Sequence, residues 1–120
     1  MRPDRLFLID IVDAADRVAI HLAGRDRGKF FLDVTAQAAV LHELTVIGEA
    51  ANRLSEEIRS RHVQTPWSKI IAFRNVVVHE YFGLNWEIVW NTATELVPEL
   101  RRQVAGIREA EFPSGTPGGA

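Results

Sequence analysis

The residues best suited to chemistry lie in one short segment, 74–81, which reads Arg-Asn-Val-Val-Val-His-Glu-Tyr. Arg74 supplies a permanent cation whose planar guanidinium group is suited to binding phosphate. His79 has an unperturbed pKa near ~6.5, so it can take or give a proton at neutral pH. Metal-free RNA cleavage needs little more than a base for the ribose 2′-proton and a cation for the charge that develops on phosphate. The segment therefore indicates chemistry on RNA, whereas DNA lacks the hydroxyl that reacts.

The same residue types have a simpler interpretation, because an arginine and a histidine on a helix usually form a solvated face or a satisfied core pair. Asn75 and His79 are four residues apart and would share one helical face, while Tyr81 follows the expected end of the helix. One chain supplies a single imidazole here, although the cleavage benefits from both a base and an acid. We therefore expect a two-fold dimer in which two copies of Arg74 and His79 meet in one cleft.

Apolar residues at helical spacing predict the elements that position this segment. A first helix is expected over residues 4–23, ended by Gly24, with a polar loop over 24–29. A second helix is expected to begin at Asp33, whose carboxylate can cap it, and to follow an apolar seam as far as Ile58.

A third helix is expected to start at Thr65 and Pro66, a hydroxyl cap followed by proline, and to carry the segment 74–81 at its end. A fourth is capped by Asn85 and contains Pro98, which predicts a kink or a break into two helices. No strand-like alternation and no internal repeat occur in the sequence. The predicted fold class is therefore all-α, a four- to five-helix up-and-down bundle.

Length and composition are those of one ordinary domain, expected over 1–110 with a flexible, Pro- and Gly-rich tail over 111–120. The formal charge of −2 excludes a generally basic protein, so RNA binding would depend on a local group of arginines or on two chains pooling theirs. The chain has no cysteine, which excludes disulfides and a thiolate metal site. Charged residues near the N-terminus and the lack of a ~20-residue apolar run argue against export and a membrane span, and a cytoplasmic protein is expected.

Three residues on the second helix have open interpretations. Glu49 and Asn52 either face the same cleft as the segment 74–81 or brace the third helix. Gly48 indicates a close approach of two helices or a ligand contact.

The basic end of the second helix is either merely solvated or helps to hold RNA. Its members are Arg53, Arg59, Arg61 and His62. The three tryptophans are expected in the core or a dimer interface rather than as platforms for bases. They are Trp67, Trp86 and Trp90. His42 and Glu43 are not followed by a second histidine at zinc-helix spacing, and no Gly-rich phosphate loop is present, so no metal and no cofactor are expected.

The spacing Arg74-x4-His79-x-Tyr81 resembles the R-x4-H-x-Y motif of HepT-like proteins, a branch of the HEPN superfamily. The resemblance continues in order through further segments between about residue 4 and residue 107. These segments are Leu44–Asn52, Pro66–Trp67, Arg74–Phe82, Glu87–Trp90 and Leu96–Leu100.

The resemblance implies a homodimeric helical bundle that acts as a toxin and cleaves RNA without a metal. It implies Arg74 as the residue that binds phosphate, His79 as the general acid and base, and Asn75 as a polar auxiliary. We add Glu49 as a second auxiliary. It also implies a partner, a minimal nucleotidyltransferase antitoxin (MntA-like) of a type VII-like system, which transfers AMP from ATP onto Tyr81. The alternative is a non-catalytic helical dimer that serves as docking platform and modification substrate for that nucleotidyltransferase.

Overall fold

The computed structural model describes residues 3–75 and 85–113, and within these two ranges every regular element is helical. The all-α prediction is confirmed. The α-helices, in chain order, are α1 (Asp4–Leu22), α2 (Arg27–Leu32), α3 (Val34–Arg53), α4 (Glu56–Arg61), α5 (Trp67–Ile71), α6 (Trp86–Asn91) and α7 (Val97–Glu111). His79, Tyr81 and the tail beyond residue 113 lie outside the described residues.

The core forms where α1 packs between α3 and α7. Helices α1 and α3 run antiparallel, since Asp4 accepts a hydrogen bond from Ser55 N at one end while Arg17 reaches Glu43 further along. Apolar side chains at the predicted helical spacing fill the space between the helices. The fully buried ones include Leu8, Ile11, Val18, Val40, Ile47, Leu100 and Val104. In the described ranges, no helix combines the length and the apolar character that a membrane crossing requires.

The stretch 24–29 is only partly the loop that was predicted. Gly24 does end α1, and its positive φ of 74° is a conformation that glycine adopts without strain. However, Asp26 caps a further helix, α2, by accepting a hydrogen bond from Lys29 N at 2.8 Å. The helix forms because Phe30 is fully buried, with its ring centroid 5.5 Å from that of Trp90.

The prediction of one helix from Asp33 through Ile58 is wrong at its far end. Asp33 caps α3 as expected, by accepting from Ala36 N at 2.9 Å. The helix stops at Arg53, and α4 starts anew because the Ser55 side chain accepts from Ile58 N at 3.2 Å. Ile58 is buried all the same, so the apolar seam is continuous while the helix is not.

The predicted hydroxyl cap at Thr65 is also wrong. Helix α5 begins at Trp67 without a side-chain cap, and the buried Thr65 Oγ1 has no hydrogen-bond partner. Asn85 caps α6 as predicted. The predicted interruption near Pro98 appears one turn earlier, as a π-helical segment, Thr92–Leu96, that joins α6 to α7. Pro98 itself lies in the first turn of α7, where a missing N–H is tolerated.

Candidate functional site

The backbone of Arg74 lies directly against α3. A Cβ atom built on Gly48 would lie 2.9 Å from Arg74 N and 3.1 Å from Ile70 O, both of them backbone atoms. Only glycine permits this approach, so the predicted close contact between helices is confirmed. The position of Arg74 relative to α3 is therefore fixed by main-chain packing before any side chain is considered.

The side chain of Arg74 contacts the next residue on α3. Its Nη1 donates to Glu49 Oε2 at 3.2 Å, and the other carboxylate oxygen, Oε1, accepts from Arg53 Nε at 3.2 Å. Both hydrogen bonds lower the pKa of Glu49, that from Arg74 most and that from Arg53 next. Glu49 is thus a carboxylate at neutral pH. The sequence left open whether it faces the cleft or braces the third helix. In the structure it braces Arg74, the arginine that the sequence predicts in the cleft.

The guanidinium group of Arg74 retains binding capacity. Its side chain is 33% exposed, and the hydrogen bond to Glu49 occupies only one terminal nitrogen, Nη1. The remaining terminal N–H groups can donate to an anionic oxygen, and such charge-assisted hydrogen bonds are strong. The arrangement is suited to receiving a phosphate group next to Glu49.

The remaining predicted site residues are only partly placed. Asn75 is exposed, and its backbone N donates to Ala72 O at 3.0 Å. His79 and Tyr81 lie outside the described residues, so their distances to Arg74 stay predictions. Asn52 is half-buried, and its two interpretations remain open. The structure thus brings together Glu49 and Arg74 from the predicted set.

The basic end of the second predicted helix divides into two groups. Arg53 joins Glu49 and Arg74, whereas Arg61 and His62 bind Glu111 near the end of α7. The sequence analysis placed Arg53 in a basic group that is either solvated or helps to hold RNA, but it did not join Arg53 to Glu49. Its spacing of four residues from Glu49, which places two side chains on one helical face, was the signal that could have done so.

The three tryptophans lie as expected against the core. Trp67 is buried and donates from Nε1 to His62 O at 3.0 Å. Trp86 and Trp90 are half-buried, and both rings contact Phe30. A role as platforms for RNA bases is not favoured by these positions.

Two grooves are lined by residues that neighbour Arg74 in space or in sequence, Glu49 in one and Phe73 in the other. One, of about 380 Å³, is lined by Glu49 and Arg53 together with residues of α1. The other, of about 220 Å³, is largely apolar and is lined by Phe73, Ile88 and neighbouring residues of α3, α5 and α6. Elsewhere, His21 Nε2 lies 3.4 Å from the buried Glu43, but no group of three or more metal-ligating side chains occurs in the described part of the chain.

Comparison with known proteins assigns the chain to a family. A family model described as HepT-like, ribonuclease HepT-like, matches residues 11–107. This chain belongs to the HepT-like ribonuclease family. The matched range contains Glu49, Arg53 and Arg74, so the cluster described above lies within the family domain.

Relatives of this HepT-like chain are similar along almost their whole length. A provisionally named RNase from Caldanaerobacter subterraneus subsp. tengcongensis is 33% identical over 111 residues, which cover 92% of this chain and 99% of the relative. Another from Methanocaldococcus jannaschii is 29% identical over 103 residues, 86% of this chain and 94% of the relative. A protein from Thermococcus cleftensis, provisionally named ribonuclease HepT, is 27% identical over 108 residues, 90% and 98% of the two chains. No solved structure matches.

Proposed function

We propose that this HepT-like chain is a metal-independent endoribonuclease toxin. The observation that carries the proposal is the placement of Arg74, whose backbone is fixed by Gly48 and whose half-exposed guanidinium group is oriented by Glu49. A cation held in place before substrate binds can stabilise charge that develops on phosphate at little cost in reorganisation. The names of the relatives, which describe them as ribonucleases, support the same activity.

In the proposed reaction, a base removes the proton from a ribose 2′-hydroxyl, and the 2′-oxygen attacks the adjacent phosphorus. The 5′-oxygen of the next nucleotide leaves and takes up a proton, so the products carry 2′,3′-cyclic phosphate and 5′-hydroxyl ends. His79 supplies the proton transfer, and Arg74 binds the phosphate oxygens. Asn75 and Glu49 act as auxiliaries, of which Glu49 positions Arg74.

The enzyme acts as a homodimer in this proposal, because two chains together provide both a base and an acid. The apolar groove beside Phe73 supports an interface near Arg74, since Ile88 at its edge is 62% exposed. Exposed apolar side chains next to an apolar groove are typical of a surface that another chain covers.

The proposed partner is an MntA-like nucleotidyltransferase antitoxin that modifies Tyr81. The tyrosine oxygen would attack the α-phosphorus of ATP, and pyrophosphate would leave. The added AMP places a negative phosphodiester two residues from His79, where it competes with substrate for Arg74. Mass spectrometry of the chain co-expressed with the antitoxin should find the AMP increment on the Tyr81 peptide; a neutralised toxin without it would exclude this mechanism.

The activity is tested by incubating purified chain with RNA in EDTA, beside a His79→Ala variant. The parent should cleave and leave cyclic phosphate ends, and the variant should lose about 10²- to 10⁴-fold in rate, the usual contribution of general acid–base catalysis. Equal melting temperatures of the two proteins would exclude misfolding as the cause. Equal cleavage by both would remove His79 from the mechanism. A parent that cleaves nothing while it binds the nucleotidyltransferase would favour the non-catalytic docking function instead.

A further inference from the structure

Arg53 shares a carboxylate with Arg74. The two oxygens of Glu49 are each engaged by a different guanidinium group, Oε2 by Arg74 and Oε1 by Arg53. Counted over these three side chains, the formal charge is +1, in a chain whose formal charge is −2. Anionic polymers are attracted to such a local excess even when the whole protein is not basic.

The guanidinium group of Arg53 is available to solvent. Its side chain is 61% exposed, and the hydrogen bond from Nε to Glu49 leaves its two terminal nitrogens to other acceptors. The same carboxylate that orients Arg74 therefore also holds Arg53 at a fixed place beside it. The two guanidinium groups therefore lie on either side of one carboxyl group.

We propose that Arg53 is an RNA-binding residue that holds the phosphate adjacent to the one bound by Arg74. The inference rests on the proposed ribonuclease function and adds a second contact to the same substrate. It makes Glu49 the residue that sets the spacing between the two phosphate positions. Arg53 takes no part in making or breaking bonds during cleavage. It contributes to RNA affinity and helps to set which linkage lies at Arg74.

The groove next to Arg53 offers space for a nucleotide whose phosphate is bound by Arg53. Arg53 and Glu49 line the groove of about 380 Å³ between α1 and α3. Phe7, Val46 and Ala50 form apolar parts of its wall, and the polar side chains of Asp10 and Thr45 complete the lining. Its volume falls within the ~300–1,000 Å³ that is typical of small-molecule sites. A nucleoside attached to the phosphate at Arg53 can place its base against these apolar side chains.

Another arginine of the predicted basic group, Arg61, provides a matched control. Arg61 is 45% exposed, but it donates to Glu57 and Glu111, each at 2.7 Å. With His62 neutral, two carboxylates around one guanidinium group give these side chains a formal charge of −1, which disfavours phosphate. Arg53 and Arg61 are therefore surface arginines of similar exposure with opposite electrostatic surroundings.

The test measures binding of a 2′-O-methyl RNA oligonucleotide, which cannot be cleaved because the attacking hydroxyl is blocked. Its Kd is determined over a range of salt concentrations for the parent, Arg53→Gln, Arg53→Lys and Arg61→Gln. Loss of one phosphate contact on a single strand should reduce the slope of log K against log salt by about 0.7 for Arg53→Gln. Arg53→Lys should keep the parent slope, and so should Arg61→Gln. An unchanged slope in Arg53→Gln would overturn the proposal.

A second measurement asks which phosphate Arg53 contacts. Two trinucleotides are compared, each with one of its two linkages replaced by an uncharged methylphosphonate. The parent should lose affinity with either replacement, whereas Arg53→Gln should be insensitive to one of them. Sensitivity to both in Arg53→Gln would contradict the assignment.

The outcomes separate this inference from the proposed function. Cleavage of RNA in EDTA together with an unaltered salt slope in Arg53→Gln would overturn the inference alone. A reduced slope in a chain that cleaves nothing would overturn the catalytic proposal alone. A parent with no measurable affinity for RNA would overturn both.

Discussion

Two carboxylates in this chain each hold a pair of basic side chains, and they do so with different tightness. Glu111 accepts from Arg61 at 2.7 and 3.0 Å and lies 2.8 Å from His62 Nε2, with its side chain 18% exposed. Glu49 accepts one hydrogen bond from each of two arginines, both at 3.2 Å, with its side chain 43% exposed. Shorter and better shielded hydrogen bonds to a charged group are the stronger ones.

The pKa values of the two carboxyl groups differ in the same sense. The hydrogen bonds from Arg61, and next the one with His62, lower the pKa of Glu111 to about 2. The pKa of Glu49 is also lowered, first by Arg74 and then by Arg53. The tighter cluster joins residues about 50 positions apart in the sequence, so it fastens the end of α7 to α4. The looser cluster leaves guanidinium donors free for another anion.

Arg74 and the end of α7 also differ in the interactions, other than ion pairs, that hold them in place. The backbone of Arg74 packs against Gly48, so its location does not depend on Glu49. At the end of α7, Ile107 is buried and the half-buried Phe112 packs against the core, while the Glu111 cluster adds an attachment to α4. The Glu111 ion pairs therefore attach α7 to α4, whereas the Glu49 ion pairs orient two arginines that the proposed function assigns to RNA.

The difference between the two clusters is tested most directly by replacing one arginine in each with the uncharged glutamine. Arg74→Gln should lower the rate of RNA cleavage by about 10²- to 10³-fold, the usual effect of removing one group that stabilises developing charge. Its urea midpoint should stay near that of the parent. Arg61→Gln should do the reverse, with a lower urea midpoint and unchanged cleavage. Cleavage assays and urea unfolding of the same preparations provide the measurement, and equal losses of both properties in both variants would contradict the separation.

Two glycine substitutions test how much the backbone packing of Arg74 against Gly48 contributes to stability and cleavage. Gly48→Ala places a methyl group 2.9 Å from Arg74 N, where main chain must move, so it should cost about 1–3 kcal/mol of stability and lower cleavage as well. Gly106→Ala, in the middle of α7 with nothing within 4 Å of the added atom, should instead gain about 0.5–1 kcal/mol. Chemical denaturation of both variants tests the pair. A stable and fully active Gly48→Ala protein would show that the close approach is not required.

Much of this fold follows from local patterns that are readable in the sequence. Apolar spacing predicted α1, α3 and α7, and polar side chains at Asp33 and Asn85 predicted the starts of two helices correctly. The break at Leu54 was missed because the apolar seam continues through it to Ile58. Ser55 followed by two glutamates was the available signal, since this order is typical of a helix start.

The close approach at the candidate site was predictable, but its side-chain connections were not. Gly48 indicated the approach, which the structure confirms, while the assignment of the chemistry to the segment 74–81 stays a prediction. The pairing of Arg74 with Glu49 spans 25 residues and depends on how two helices meet, which a pattern along one helix does not contain. The same limit applies to α2, whose single buried residue, Phe30, finds its partners on α6.

The smallest expected effect concerns pH and separates the two carboxylates directly. A carboxyl group whose pKa is lower in the folded chain adds stability that is present above its ordinary pKa and is lost as pH falls through the folded value. For Glu111 that window runs from its ordinary 4.5 down to about 2. The urea midpoint of the parent should therefore exceed that of Glu111→Gln at pH 7, and the difference should shrink steadily across this window. Glu49→Gln should show the same sign with a smaller difference, because its carboxylate is more exposed and more loosely bound. A larger difference in urea midpoint for Glu49→Gln than for Glu111→Gln would contradict the view that the Glu111 cluster is the one that stabilises the fold.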